Sequence, residues 1–164
     1  MVKTVELKKM YEDVVVPEYA KEGDAGMDIR AYLTDESVKG SSSHYYNHDD
    51  IAYFLLRAGE RKIIPTGLKV AIPSGYEIQV RPRSGMAFKM GVTVLNSPGT
   101  IDSGYRGEIG VIAYNASDDA VKIEHGERIA QIVLNKVPSI EWDIVEELDA
   151  SVRGEGGFGS TGTN

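Results

Sequence analysis

The chain has 164 residues, which suits a single domain, and its formal net charge of −7 argues against non-specific binding to nucleic acid. It contains no cysteine, which excludes disulfides, thiolate metal sites and cysteine nucleophiles. No apolar run approaches the roughly 20 residues that span a bilayer, and the N-terminal residues do not resemble a signal peptide. We therefore expect a cytoplasmic protein with no membrane or nucleic-acid partner.

Short runs of alternating apolar and polar residues follow one another along the chain, separated by turn residues among the 18 Gly and 6 Pro. In chain order these runs are 5–7, 62–64, 68–72, 76–80, 91–95, 107–113, 120–123 and 129–134. Turns are predicted at 65–67 and 73–75, and short helices after Ser84 and near 51–56. Runs at a spacing of roughly 8–12 residues predict an all-β sandwich or barrel.

Residues 35–50 interrupt this rhythm with a polar, serine-rich stretch. We predict a flexible surface loop there. The alternative is a metal site built from His44, His48, Asp49 and Asp50. The stretch lacks an apolar frame to hold metal ligands, which favours the loop.

Residues 81–89 place Arg81 and Arg83 directly before a Ser84-Gly85 helix start. A serine N-cap leaves backbone N–H groups pointing outward, where the helix dipole favours an anion. Guanidinium groups beside such a start make a phosphate cradle. The alternative is a capped surface helix with solvated arginines.

A glycine-rich turn at 96–109 carries Asp102 and Tyr105 where the backbone can approach a ligand closely. The alternative is an aspartate that only bonds its own backbone. Gln131 lies within an apolar strand, where it either faces outward or needs a polar partner. His125, in the preceding turn, is predicted to be structural or merely exposed.

The C-terminal residues 153–164 combine an arginine, one aromatic ring and hydroxyl groups among glycines. These are the parts of a lid that wraps a phosphate and stacks on a ring, although a glycine-rich end taken alone is typical of a disordered terminus. The segment lacks the Gly-Lys-Ser/Thr ending of a P-loop.

Five segments occur in the order of five motifs of one family, and on them the chain closely resembles the trimeric, all-β deoxyuridine triphosphate nucleotidohydrolases (dUTPases). They are DAGMDIRA (24–31), PRSGMA (82–87), GTIDSGYRGEI (99–109), GERIAQ (126–131) and RGEGGFGSTG (153–162). The resemblance implies a single domain over 1–164, a distorted jelly-roll or β-barrel with one short helix. Residues 35–50 are then an inserted surface loop, and 153–164 a mobile arm that closes over the substrate.

The resemblance implies hydrolysis of dUTP to dUMP and pyrophosphate by water attacking the α-phosphorus, with Mg²⁺ on the triphosphate. This reaction would keep uracil out of DNA and supply dUMP for dTMP synthesis. Asp102 matches the general base, and Gln131 a residue that binds the α-phosphate and positions the water. Asp28 matches an acidic residue that acts on the water shell of Mg²⁺. Arg83, Ser84 and Gly85 match the phosphate cradle, and Arg83 and Ser84 also serve catalysis.

The resemblance also assigns the sugar, base and arm contacts. Tyr105 matches the ring that packs under deoxyribose and excludes a 2′-hydroxyl. The positions that read uracil are Asn96, Thr100, Ile101 and Gly110. In the arm, Arg153 would grip the γ-phosphate and Phe158 would stack on uracil. The residues that close over the phosphates are Gly159, Ser160 and Thr161.

A homotrimer with shared active sites is implied as well, in which one subunit supplies the first, second and fourth motifs, its neighbour the uracil hairpin and the third subunit the arm. Residues 35–50 offer a surface for a regulatory protein contact. Two alternatives stay open. One is a dCTP deaminase of the same fold, whose catalytic Glu position falls on Ile112 here. The other is a catalytically silent β-barrel regulatory or binding module.

Overall fold

The computed structural model describes residues 3–34, 45–48 and 51–156, and within them the chain forms eleven strands and one helix. The elements are β1 (Glu6–Lys9), β2 (Met27–Arg30), β3 (Tyr45–His48), β4 (Ile51–Leu56), β5 (Arg61–Ala71), β6 (Tyr76–Arg81), α1 (Ser84–Met90), β7 (Val92–Val94), β8 (Gly99–Ile101), β9 (Glu108–Asn115), β10 (Val121–Glu124) and β11 (Arg128–Lys136). The all-β prediction is confirmed, and so is the short helix predicted after Ser84, which begins at that residue. No helix in these ranges is long and apolar enough to cross a membrane.

The strands form three antiparallel sheets, ordered β1-β5-β9-β7, β10-β4-β3 and β2-β11-β6-β8, in the manner of a jelly roll. Every second side chain of β9 is buried, as expected when one face of a sheet covers a core. The three sheets share that core. Its largest fully buried apolar side chains are Phe54, Ile29, Leu33, Leu56, Ile64, Leu68, Ile123 and Val111.

Residues 65–67 do not form the predicted turn, because β5 continues through them as a bulge. The pairing of β5 with β9 jumps from Pro65 opposite Gly110 to Lys69 opposite Glu108. Three residues of β5 therefore face a single residue of β9. The turn predicted at 73–75 is confirmed, with the N–H of Tyr76 bonded to the carbonyl of Pro73 at 3.2 Å.

The prediction of a short helix near 51–56 is wrong, since this segment is β4, the central strand of the sheet β10-β4-β3. Part of the predicted loop 35–50 is also a strand: β3 pairs with β4, Tyr45 opposite Phe54. The short apolar run in β4 fits either element by its pattern, and pairing on both edges decides for a strand. Residues 35–44 and 49–50, with three of the four candidate metal ligands, lie outside the described residues.

Ser84 is not the N-cap of α1. Arg83 occupies that position in an extended conformation (φ −90°, ψ 128°) and makes no side-chain capping bond, so Ser84 is the first helical residue. The helix ends at Gly91, whose φ of +66° closes it in the left-handed conformation that glycine adopts readily. The helix therefore begins one residue earlier than the capping pattern predicts, at Ser84 instead of Gly85.

Candidate functional site

Asp28 lies on β2 between two arginines from distant parts of the chain. Its Oδ1 accepts a hydrogen bond from Nε of Arg83 at 2.9 Å, and its Oδ2 accepts one from Nη1 of Arg128 at 3.2 Å. Arg83 also donates to the carbonyl oxygen of Arg128 at 3.1 Å. Each guanidinium carries five N–H donors, more than these bonds use. The cluster therefore joins a carboxylate to two cations that retain donors for an anionic ligand.

Gln131 lies on β11 directly opposite Asp28 and has the polar partner that its position in an apolar strand required. Its Nε2 donates to the carbonyl oxygen of Pro82 at 2.9 Å. Gly26 makes room for the other end of the amide, since a Cβ at that residue would lie 2.6 Å from the Gln131 Oε1. The side chain is thus held between the turn before β2 and the segment before α1.

A cleft of about 490 Å³ opens beside this cluster. Its floor includes Asp28, Gln131 and Arg128, and Arg30 adds a further cation. The segment from residue 15 to 18 and Ala20 also line the cleft. Arg30 and Arg128 were not singled out as site residues from the sequence. The sequence could have pointed to both, because each arginine lies inside one of the five motif segments.

Arg83, Ser84 and Gly85 lead into α1 as predicted, although Ser84 does not cap it. Ser84 and Gly85 are exposed at the first turn of the helix, and a Cβ at Gly85 would meet open space. Because the Arg83 side chain bonds to Asp28, the helix start adjoins the carboxylate–arginine cluster. The structure therefore brings Asp28, Arg83 and Gln131 together.

A second, smaller cavity of about 160 Å³ lies in the turn between β8 and β9. Five predicted site residues line it together with two residues of β9. They are Thr100, Ile101, Asp102, Tyr105 and Gly110, with Glu108 and Ile109. Asp102 is exposed at this cavity. Asn96 does not line it and packs instead beside Gly99, with its Nδ2 3.1 Å from where a Cβ of that glycine would lie.

The ring of Tyr105 forms one wall of the smaller cavity. Its hydroxyl donates a hydrogen bond to the carbonyl oxygen of Glu108 at 2.8 Å. The ring packs against Gly107 so closely that a Cβ at that residue would overlap it. Arg106 donates to the carbonyls of Ser103 and Tyr105 and closes the turn. The ring is therefore fixed at both ends although 45% of Tyr105 is exposed.

The two cavities lie at opposite edges of the sheet β2-β11-β6-β8. Asp28 is on β2, and Thr100 and Ile101 are on β8, three strand spacings or about 14 Å away. The cavities share no lining residue. Within one chain, the residues predicted to form one site are thus divided into two groups.

The arm residues are only partly within the described range. Arg153 is exposed and lines neither cavity, and its Nε donates to the carbonyl of Gly156 at 2.8 Å. Four predicted contacts lie outside the described residues, namely Phe158, Gly159, Ser160 and Thr161.

His125 makes structural contacts and is also exposed, so both parts of its prediction apply. Its Nδ1 accepts a hydrogen bond from the N–H of Leu33 at 3.0 Å, and its ring meets the edge of Tyr32. The hydroxyl of Tyr32 in turn donates to Oδ1 of Asp13 at 2.6 Å. Burial and this bond raise the pKa of Tyr32 to about 12, and the same bond lowers the pKa of Asp13. This network fixes the end of β2 to the turn that precedes β11.

Comparison with known proteins gives a consistent result. A family model described as dUTPase matches residues 50–162. The chain is 53% identical over 161 residues to the deoxyuridine 5′-triphosphate nucleotidohydrolase of Fusobacterium nucleatum, covering 98% of this chain and 99% of that one. It is 48% identical over 151 residues to the protein of the same name from Desulfotalea psychrophila, covering 92% and 89%. Among solved structures, a mutant dUTPase of Staphylococcus bacteriophage 80alpha with dUpNHpp aligns with a TM-score of 0.77 at 27% identity, covering 99% of this chain and 100% of that one.

Proposed function

Since the chain belongs to the dUTPase family and is a dUTP diphosphatase, we propose that it hydrolyses dUTP to dUMP and pyrophosphate with the two cavities holding opposite ends of the substrate. The observation that carries this proposal is the small cavity in which Asp102 and Tyr105 lie beside the backbone of β8 and β9. A carboxylate, a fixed aromatic ring and strand backbone in one place suit recognition of a base and sugar next to the reacting phosphorus.

In this proposal the uracil edge is read by the backbone of Thr100, Ile101 and Gly110, with Asn96 at the mouth of the turn. Cytosine presents the opposite polarity at that edge, so it would leave buried donors and acceptors unpaired. Thymine would be refused by shape, because in this proposal the hairpin leaves no space for its methyl group. Tyr105 packs under the deoxyribose and leaves no room for a 2′-hydroxyl.

The triphosphate would lie along the start of α1 and the carboxylate–arginine cluster. Arg83, Ser84 and Gly85 cradle the phosphates, and Gln131 contacts the α-phosphate. Guanidinium groups suit this task because their planar N–H groups match phosphate oxygens in pairs. The bond between Arg83 and Asp28 supports the assignment, since it holds the guanidinium in one orientation.

Asp102 acts as the general base. It removes a proton from a water molecule whose oxygen forms a bond to the α-phosphorus, while the bond from that phosphorus to the bridging oxygen of pyrophosphate breaks. Gln131 helps to hold this water. A positioned carboxylate in this role typically contributes ~10²–10⁴-fold to the rate.

Mg²⁺ is the proposed cofactor, carried mainly by the substrate phosphates. Asp28 would act on the water shell of the ion, and the bonds that both of its oxygens accept from arginines hold the carboxylate in one orientation. In the described part of the chain, no three His, Asp or Glu side chains are grouped to hold a metal. One carboxylate beside the substrate phosphates fits Mg²⁺, which keeps several waters and takes phosphate oxygens as ligands. When bound, the ion offsets negative charge on the triphosphate.

We further propose a homotrimer whose active sites are completed between subunits. The separation of about 14 Å between the β2 and β8 edges supports this, because the uracil turn of one copy would then meet the Asp28 cleft of another. The segment after β11 supports it too. Its large apolar side chains are exposed in the isolated chain, Trp142 by 84% and Leu148 by 89%, and suit contact with a second copy.

The arm 153–164 would come from the third subunit of that trimer. Arg153 grips the γ-phosphate, Phe158 stacks on uracil, and residues 159–161 close over the phosphates. Closure excludes water and strengthens electrostatic contacts in the site. We propose that the enzyme works in the cytoplasm, where it keeps uracil out of DNA and supplies dUMP for dTMP synthesis.

The test is pyrophosphate release from dUTP, dCTP, dTTP and UTP, each with and without Mg²⁺. We expect release from dUTP alone, at a much higher rate with Mg²⁺. Ammonia release from dCTP would instead support a deaminase, although the position of its catalytic Glu is Ile112 here. No product from any of the four nucleotides would support the silent binding module.

A further inference from the structure

Glu108 connects the turn that carries Tyr105 to the bulge in β5. Its Oε1 accepts hydrogen bonds from the N–H of Thr66 at 3.1 Å and the N–H of Gly67 at 2.7 Å. Its own carbonyl oxygen accepts the bond from the Tyr105 hydroxyl. One residue thus holds the bulge with its side chain and the tyrosine with its backbone.

The bulge requires such a partner because its register leaves no strand carbonyl opposite these two N–H groups. Three residues of β5 face one residue of β9 there. Thr66 is only 2% exposed, so an N–H left without an acceptor would be costly. Gly67 packs against the Val14 side chain with a φ of +69°, and it cannot shift easily toward another acceptor. A charged acceptor makes stronger bonds than a neutral one.

We infer that Glu108 is a positioning residue for discrimination between deoxyribose and ribose. Its two side-chain bonds fix the backbone at the start of β9, and that backbone fixes the hydroxyl end of Tyr105. Without the carboxylate the start of β9 is free to move, and the ring at the sugar position moves with it. This inference rests on the proposed function, in which Tyr105 excludes the 2′-hydroxyl.

The variants Glu108→Ala and Glu108→Gln separate this role from a general effect on the fold. Alanine removes the acceptor for both N–H groups. Glutamine keeps an oxygen at the same distance along the side chain and restores the bonds without the charge. Val14→Ala is the matched control, since it loosens packing behind the same bulge without removing a bond to Glu108.

The measurement is the ratio of kcat/KM for dUTP to kcat/KM for UTP, with the melting temperature of each variant. We expect Glu108→Ala to lower the ratio roughly tenfold, because a displaced Tyr105 ring discriminates less well between deoxyribose and ribose. Glu108→Gln should keep the ratio close to that of wild type. Val14→Ala should lower the melting temperature and leave the ratio unchanged.

Tyr105→Phe gives a second test that does not endanger folding, because this side chain is at the surface. It removes the bond to the Glu108 carbonyl and keeps the ring, and we expect the ratio to fall in the same direction. A wild-type ratio in either Glu108→Ala or Tyr105→Phe would overturn the inference, as would an equal fall in Val14→Ala. If the wild-type enzyme did not prefer dUTP over UTP, the proposed function itself would fail.

Discussion

Asp28 and Arg83, 55 residues apart in the chain, form an ion pair in which carboxylate Oδ1 and guanidinium Nε are 2.9 Å apart. Arg128 approaches the other carboxylate oxygen at 3.2 Å. The pairing of β2 with β11 and the extended residue before α1 bring these three side chains together. The carboxylate therefore orients two of the cations proposed to meet the triphosphate.

Replacing Asp28 with Asn should impair catalysis more than folding. The amide nitrogen would face a guanidinium N–H, so one of the two arginines loses its acceptor. We expect kcat/KM for dUTP to fall about 10- to 100-fold, as is usual when an orienting partner is removed. Glu124→Gln is the control, since it breaks an exposed ion pair with Lys122 away from the cluster. Wild-type kcat/KM in Asp28→Asn would contradict the role of this pair.

Gly26→Ala should act through Gln131. The new methyl group would lie 2.6 Å from the Gln131 Oε1 and displace the side chain from the carbonyl of Pro82. Turnover should fall in Gly26→Ala and in Gln131→Ala. The double variant should be hardly worse than Gln131→Ala, because residues that act through one contact are not additive. Fully additive losses in kcat would show that Gly26 acts by another route.

The pH dependence of stability should show the bond between Tyr32 and Asp13. The pKa of Tyr32 is raised to about 12 in the folded chain. The contribution of Tyr32 to the free energy of unfolding is therefore complete below its pKa in the unfolded chain, about 10, and is lost as the pH rises through about 12. The pKa of Asp13 is lowered, so its stabilisation is present above about 4 and is lost as the pH falls below its folded value.

Tyr32→Phe removes this bond and keeps the ring against Tyr11. The difference in melting temperature between wild type and variant should be greatest from about pH 5 to 9 and shrink toward both extremes. Thermal melts across pH measure it directly. A difference that stayed constant from pH 3 to 12 would be inconsistent with the shifted pKa values of this pair.

Deleting residues 153–164 should abolish most turnover and leave the fold intact. Among the described residues the buried apolar core extends from Val14 to Val133, and residues 153–156, the described part of the deletion, lie outside it. Turnover of dUTP should fall steeply because the proposed closure over the phosphates is lost. Circular dichroism and the melting temperature should match the full chain. An unfolded truncated chain would show that the arm is structural instead.

Most strands could be predicted from the sequence because period-two alternation and turn residues are local signals. The exceptions depend on contacts that a local pattern does not contain. Pro65-Thr66-Gly67 has the composition of a turn, yet β5 continues through it because Glu108, more than 40 residues away, accepts the N–H bonds of the bulge. The segment 51–56 is a strand because β3 and β10 pair with its two edges.

The sequence proposes the residues of the candidate site one by one, but it does not predict their spatial arrangement. The motifs identify Asp28, Arg83 and Gln131, and the structure places them in contact or on facing strands. They do not reveal Arg128 as the second partner of Asp28, because that contact depends on the register of β2 and β11. Nor do they reveal that Asp102 belongs to a separate cavity at the opposite edge of the sheet.

We propose that Asp102 activates the water that attacks the α-phosphorus of dUTP. The direct measurement is the turnover number of Asp102→Asn with dUTP and Mg²⁺, alongside the affinity of the variant for a non-hydrolysable dUTP analogue. Asparagine preserves the size of the side chain but cannot accept the proton. We expect kcat to fall by at least ~100-fold while the analogue still binds. Turnover close to that of wild type would contradict the assignment of Asp102 as the base.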